Sequence, residues 1–550
     1  MPDAAPGPIV HDAEYYILRE QHKDRWAGED AELDARLEAL REKHGAPPNI
    51  VHIMWDDMAF GDAGIPVVNK LRGFDTPSCN RMASEGMMFG RLYTEPSCTP
   101  SRAAVITGRH PVRNGMHTVA FPIENTGLPG DEVTTADVLS KAGYATAFYG
   151  KWHLGDIEES YPHNQGFDET LFVPYNQVLM LYNRLGETSN AVVGARPETM
   201  PDDPYHLDDT FVPEGWVMAI EGKKGELGRE WGDREPEDWE ELEVECRSRT
   251  MDFIRRNAKA KQPFYAAFWP NEVLSLLPVQ DRKTPARSAL AERFQHGVDA
   301  FIGQVMDELV ELGIAENTLL VCHADNGPMV HDPPTGLGQS EIFFRGGKSD
   351  YWEGGIRVPG FASWPGTIKA GQVVGDMIHE TDLFTTFARL AGATEHIPGD
   401  RIIDGIDQTS LLLNGDGYSR RDYNFVYTGP ILAATIKERF KRIWVGEHPG
   451  LAGAAFYDLY TDPREMFGKL VPLLHTNSSF NKMRKRHQIW KREYPDRDAA
   501  SGPAFTGLED PRPETARLAK PPVDLKELPF DPLEHIDERL PWDGYDPDVG

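Results

Sequence analysis

From Pro47 onward, short apolar runs alternate with helical patterns, and the residues able to do chemistry sit just after the apolar runs. Asn49-Ile50-Val51-His52-Ile53-Met54-Trp55 reads as a buried strand that ends in Asp56-Asp57. A strand over 144–149 ends in Gly150-Lys151-Trp152-His153, and a strand over 318–323 leads to Asp325-Asn326-Gly327. Helices lie between them. Thr134 can cap one that runs through Ala142, with Gly143 closing it, and a longer one covers 298–312 with Gly313 after it. Strands joined through helices pair in parallel. The expected fold is therefore α/β, with a large, mostly parallel mixed sheet flanked by helices. Ligands of open α/β sheets bind beyond the carboxyl ends of the strands. Three strand ends carrying Asp56/Asp57, Lys151/His153 and Asp325/Asn326 thus predict a single site.

The flanking segments read differently. Residues 1–46 form an N-terminal helical extension, with Leu33, Leu37 and Leu40 at helical spacing and Gly45 and Pro47 as stops. The α/β domain spans 47–410. Within it, 156–262 is rich in Pro, Asp and Glu and reads as an irregular insertion shaping the substrate mouth. Residues 411–475 form a small antiparallel C-terminal subdomain, with strands over 440–446 and 454–460. Residues 476–550 hold an amphipathic helix marked by Phe480, Met483, His487, Trp490 and Tyr494, then a Pro-rich acidic tail. The two extensions could clasp a neighbouring copy, so a homo-oligomer is expected.

Composition excludes several classes. Of 550 residues, 57 are Lys or Arg and 87 are Asp or Glu, a net charge of −30. Sequence-independent nucleic-acid binding needs clustered cations, so this chain is a poor candidate for it. Any anion site must be a local basic pocket set against the overall field. No apolar run approaches the roughly 18 residues of a membrane span. Met1-Pro2-Asp3-Ala4-Ala5-Pro6 lacks the basic and apolar regions of a signal peptide, which makes a cytoplasmic location the expectation. The four cysteines, Cys79, Cys98, Cys246 and Cys322, form no C-x-x-C pair, so zinc and disulfide frameworks are not expected.

One cysteine stands in a distinctive setting. In Cys98-Thr99-Pro100-Ser101-Arg102, Thr99 or Cys98 can cap a helix with Pro100 at its first position, and Gly108 suits its end. The start of such a helix favours an anion, and Arg102 adds a fork that matches a tetrahedral oxyanion. A buried cysteine beside a capped helix would look the same. Asp56, Asp57, Asp325 and Asn326 are hard oxygen donors suited to Ca²⁺, Mg²⁺ or Mn²⁺. Lys151 and His153, two apart on an extended segment, would point the same way. Gly346-Gly347-Lys348-Ser349 lacks the earlier glycine of a phosphate loop, because Ile342 stands there.

The segment Cys98-Thr99-Pro100-Ser101-Arg102 through Thr107-Gly108-Arg109 resembles the signature of the type I sulfatases, members of the alkaline-phosphatase-like superfamily. Five further segments in family order support the resemblance, which covers most of 47–470. They are Trp55-Asp56-Asp57, Gly150 to Gly155, His323 to Gly327, Gly347-Lys348 through Pro359, and Tyr457-Asp458-Leu459 with Asp462-Pro463-Arg464-Glu465. The resemblance implies hydrolysis of sulfate monoesters, aryl sulfates foremost. It implies that a separate maturing enzyme oxidises Cys98 to formylglycine, which hydrates to a geminal diol. It also implies a metal, Ca²⁺, held by Asp56, Asp57, Asp325 and Asn326 together with the modified Cys98. One hydroxyl of the diol attacks sulfur, and His153 then takes the proton of the other. Arg102, Lys151 and Lys348 neutralise the sulfuryl oxygens, and Arg109 braces the cysteine helix. Cys79, Cys246 and Cys322 receive no role.

One departure stands out. The family usually has a second histidine just after the strand that here reads 263–268, whereas this chain continues Trp269-Pro270-Asn271-Glu272-Val273-Leu274. Lys348 or His323 could substitute, Asn271 could supply a hydrogen bond, or the leaving group could be acidic enough to need little help. The nearest rival is a phosphonate monoester or phosphodiester hydrolase on the same scaffold. A rival of another class is a binding protein that keeps the pocket without turnover.

Overall fold

A computed structural model describes residues 8–120, 125–175, 219–232, 236–271, 290–329, 343–445, 455–468 and 474–501. Ten strands form the main sheet. Their order is Gln372–Val374, Met87–Phe89, Gly360–Ser363, Thr318–Ala324, Asn49–Trp55, Phe264–Trp269, Ala145–Lys151, Glu169–Val173, Ala219–Lys223 and Arg229–Trp231. The five from Thr318–Ala324 to Glu169–Val173 run parallel. Antiparallel pairs begin on either side of them. Every residue of Asn49–Trp55, Phe264–Trp269 and Thr318–Ala324 is buried. That is why these strands read as continuous apolar runs without polar alternation.

Strand alternation shows how the faces are covered. His52 meets Phe387 of helix Asp382–Ala391, while Trp55, on the opposite face, meets Phe294. Helices Cys98–Thr107 and Thr135–Lys141 share the Phe387 layer. Thr134 caps Thr135–Lys141 through a reciprocal bond with Asp137, as its sequence predicts.

The 156–262 segment corrects the sequence reading. It is not simply irregular: it contributes three strands of the main sheet and helix Pro236–Ala260, which lies against Ala145–Lys151 and Phe264–Trp269. Those strands are short, at five, five and three residues, and Arg229–Trp231 follows Ala219–Lys223 without a helix between them, so the last two lack the pattern by which helix-linked strands are recognised. Residues 176–218 and 233–235, part of the expected substrate mouth, lie outside the described residues.

The N-terminal extension is one helix, Ala13–His44, closed by Gly45 at φ 71°. It docks on its own chain. Leu33 and Leu37 enter the main core, and Leu18 and Trp26 join a smaller one with Phe425 and Met483. The antiparallel subdomain has four strands, Tyr423–Thr428, Ile431–Lys437, Phe440–Ile443 and Ala455–Asp458. Helix Leu474–Glu493 follows it and buries Phe480, Met483 and His487. The tail beyond Ser501 lies outside the described residues. Among the described residues, no helix is long and apolar enough to cross a membrane.

Candidate active site

Helix Cys98–Thr107 carries the cysteine, but Ser97 is its N-cap residue and makes no side-chain capping bond. Cys98 therefore opens the first turn, and Pro100 sits two positions later, where a backbone N–H is still not needed. The expected cap by Cys98 or Thr99 is replaced by another use: Thr99 Oγ1 accepts from Ala120 N at 3.0 Å. Gly108 at φ 68° ends the helix. Arg109 then ties it down through Ile402 O at 2.9 Å and Glu132 at 2.5 Å. Arg102 lies four residues after Cys98 and so shares its face.

The strand ends converge on Cys98. Its Sγ lies 3.2 Å from Asp56 Oδ1 and 3.8 Å from Asp57 Oδ1. Lys151 Nζ donates to Asp56 Oδ1 at 2.6 Å. Lys348 Nζ is 2.7 Å from Asp57 Oδ1 and 2.8 Å from Cys98 Sγ. Asn326 Nδ2 donates to Asp57 Oδ1 at 2.7 Å, and Asp57 N donates to Asp325 Oδ1 at 3.1 Å. Asp57 needs φ 46°, a conformation rare outside glycine, to bring its carboxylate inward. All these side chains are buried except that of Lys348, which keeps 14% of its surface exposed and marks the open side.

Arg102 has a different place from the one expected. Its Nη2 donates to Asp325 Oδ2 at 2.8 Å and its Nη1 to Lys151 O at 2.5 Å, so it braces the carboxylates from beneath. Burial opposes ionisation of Asp56, yet Lys151, Lys348 and Arg102 together hold its carboxyl well below the usual range. Burial and then the Asp56 charge push Asp325 up to about 7. Burial and then Asp56 also raise the Cys98 thiol, so it is not a thiolate at neutral pH.

His153 does not continue the strand alternation expected of it. The strand ends at Lys151, and His153 adopts φ 60°. Its Nε2 lies 2.9 Å from Ala120 O. A carbonyl only accepts, so Nε2 carries the proton and Nδ1 holds the lone pair. That Nδ1 is buried and has no partner among the described residues. Burial first, then Lys151 and Arg102, hold the ring neutral, well below its usual pKa. A neutral imidazole with a free Nδ1 is equipped to act as a base.

The residues fit a hard divalent cation. Asp56, Asp57, Asp325 and Cys98 each bring one ligand atom within 4.8 Å of the others, all buried. Asp56 Oδ2 and Asn326 Oδ1 are buried oxygens without hydrogen-bond partners among the described residues, an arrangement a cation would satisfy. Three carboxylates are balanced by Arg102, Lys151 and Lys348. A dication added there makes the pocket positive, which suits an anionic ester inside an acidic protein.

Two expected substrate contacts are corrected. His323 shares a sheet face with His52 and bonds to it, Nε2 to Nε2, at 2.9 Å, with its Nδ1 2.8 Å from Ala324 O. It is a fully buried core residue. Asn271 gives its backbone and side-chain nitrogens to Glu243 Oε2, at 2.9 and 3.3 Å, which fastens the strand exit to helix Pro236–Ala260. Sequence reasoning missed Thr99 and Ala120 as neighbours of the base. Nothing in the local pattern announces a contact across 21 residues.

The sulfatase family profile matches residues 48–393. The chain is 33% identical over 412 residues to N-acetylgalactosamine-6-sulfatase of Mus musculus, covering 72% of each. It is 32% identical over 445 residues to steryl-sulfatase of Rattus norvegicus, covering 71% of this chain and 74% of that one. The crystal structure of the PsFucS1 sulfatase from Pseudoalteromonas sp. superposes with a TM-score of 0.72 at 28% identity, covering 86% of this chain and 96% of that one. With the cysteine, the acidic cluster and its counter-cations in one pocket and a family match across most of its length, this chain belongs to the sulfatases.

Proposed function

We propose that this sulfatase uses formylglycine made from Cys98 by a separate maturing enzyme, and that its substrates are aryl sulfates. The observation that carries the mechanism is the convergence of Cys98 with Asp56, Asp57, Asp325, Lys151 and Lys348 in one buried pocket. As a protonated thiol Cys98 is a poor nucleophile, which accords with its conversion. Asp56, Asp57, Asp325 and Asn326 would hold Ca²⁺, with Mg²⁺ or Mn²⁺ as alternatives. When bound, the ion would supply Lewis-acid polarisation of the sulfate and a lowered pKa at the nucleophilic oxygen. Lys348, on the open side, meets the incoming sulfuryl group, and Lys151 balances Asp56 as charge shifts. Arg102 keeps Asp325 and Asp56 in place. His153 Nδ1 takes the proton that must leave when sulfate is released.

The aryl preference rests on the leaving-group side. Asn271 stands at the strand exit where the family usually has histidine, and its nitrogens are engaged by Glu243. A phenolate leaves without protonation, whereas an alkoxide such as that of a sugar does not. Comparing kcat/KM on an aryl sulfate and a sugar sulfate tests this preference, and higher efficiency on the sugar ester overturns it. Higher efficiency on a phosphonate monoester would move the chain to the rival activity. Mass spectrometry of the peptide carrying Cys98, from the native host, tests the modification: an unconverted thiol in active enzyme rules it out. A cytoplasmic location and a homo-oligomer belong to the same proposal, and fractionation and light scattering test them.

A further inference from the structure

We propose that Thr99 is a positioning residue for the base: its hydroxyl anchors Ala120, whose carbonyl holds His153. The inference rests on the roles assigned above to Cys98 and His153. Thr99 follows the nucleophile position directly and is fully buried in the first turn of its helix. Its Oγ1 accepts from Ala120 N at 3.0 Å, and Ala120 O accepts from His153 Nε2 at 2.9 Å. With planar peptides, only φ and ψ of Ala120 stand between the anchored N–H and the carbonyl that meets the base. The far end of this loop is also pinned. A Cβ on Gly115 would stand 1.9 Å from Ala499 N, so the C-terminal segment crosses directly over it.

His153 depends on that carbonyl more than an ordinary histidine would. Its backbone is left-handed at φ 60°, a conformation that persists only when its surroundings impose it. Its other ring nitrogen has no partner among the described residues, so the Ala120 contact selects the tautomer that leaves the Nδ1 lone pair free. Thr99 thereby couples the base to the helix that carries the nucleophile. The interaction follows the logic by which outer partners fix the orientation of a reacting histidine.

The test is a double-mutant cycle on protein co-produced with the maturing enzyme, with rates divided by the measured formylglycine content. Thr99→Val keeps the shape and removes the acceptor. It is expected to lower kcat by about 10- to 100-fold with KM changed by less than about twofold. Thr99→Ser keeps the acceptor and is expected to stay within about threefold of the wild type. In the His153→Ala background, Thr99→Val is expected to cause no further loss, because its effect runs through the missing ring. A wild-type kcat in Thr99→Val, or the same fold loss in both backgrounds, overturns the proposal. If fully converted wild type turns over no sulfate ester, the proposed function fails. A crystal structure of Thr99→Val then decides this inference alone: a rotated His153 ring supports it, and an unmoved Ala120 carbonyl and ring overturn it.

Discussion

Two buried charge clusters, the pocket around Cys98 and a second group of residues behind it, use the same residue types to opposite ends. In the second, Arg113 donates to Asp404 from Nε and Nη2 at 2.7 Å each and reaches Asp12 Oδ2 at 3.2 Å. Asp12 also accepts from His487 Nδ1 at 2.8 Å and caps helix Ala13–His44. Arg421 clamps Asp382 and donates to Asp404 O at 2.6 Å. This cluster joins both terminal extensions to the body, and the carboxylate oxygens of Asp12, Asp382 and Asp404 all have partners. The pocket around Cys98 instead leaves Asp56 Oδ2, Asn326 Oδ1 and His153 Nδ1 without partners among the described residues and holds Asp57 and His153 at positive φ. Buried carboxylates whose oxygens are all paired fix a fold, whereas convergent unsatisfied acceptors await a ligand. Burial and charge alone would not tell the two apart; the unmet acceptors do, since the second cluster leaves only a donor, Arg113 Nη1, without a partner among the described residues.

Mutation should separate them sharply. Cys98→Ala is expected to abolish turnover, by at least about 10⁴-fold, while the melting temperature stays within a few degrees of the wild type. Turnover of an aryl sulfate and a thermal melt check it, and near-wild-type rates would falsify the assignment of Cys98. Metal removal by a chelator comes next, with a loss of roughly a thousandfold restored by added Ca²⁺ or Mg²⁺. Undiminished activity in metal-free protein would mean that the acidic cluster holds no catalytic ion.

The closed cluster should respond in stability. Arg113→Met leaves Asp404 and Asp12 short of their counter-charge and is expected to cost about 3–5 kcal/mol in urea unfolding, with kcat per folded molecule unchanged. A loss of kcat at unchanged stability would break the distinction between the clusters. The smallest effect concerns pH. Burial pushes His11, beside this cluster, down to about 4, against about 6.5 in an unfolded chain. Between these values the unfolded state binds the extra proton. Its contribution is therefore complete above pH ~6.5 and is lost as pH falls towards 4. His11→Asn should flatten the stability slope over that window by about one proton, read from urea unfolding at stepped pH; an unchanged slope would show that His11 does not titrate there.

Part of this was legible in the sequence because the responsible signals are local. Buried parallel strands are continuous apolar runs, so Asn49–Trp55 and Thr318–Ala324 were readable with their acidic exits. The Thr134 cap and the Gly108 and Gly45 stops are one-turn effects. His323 shows the limit. Its place beside His52 depends on the register that sets Met54 opposite His323, and no residue near either one records that register. The strands Ala219–Lys223 and Arg229–Trp231 were missed for a related reason, since with no helix between them they carry no connection pattern, and Glu169–Val173 is only five residues long.

By itself, then, the sequence determined the helix-linked strands, the helices between them, and the residue types delivered to the carboxyl edge of the sheet. These follow from backbone hydrogen bonding and apolar spacing within a few residues. Only the tertiary structure decided which donor meets which acceptor. Lys348 reaches Cys98 across 250 residues, Asn326 reaches Asp57 across 269, and Arg102 turns to brace Asp325 instead of facing the open pocket. Those pairings are set by how the helices pack on the sheet, and packing is a property of the whole core that no local stretch of chain encodes.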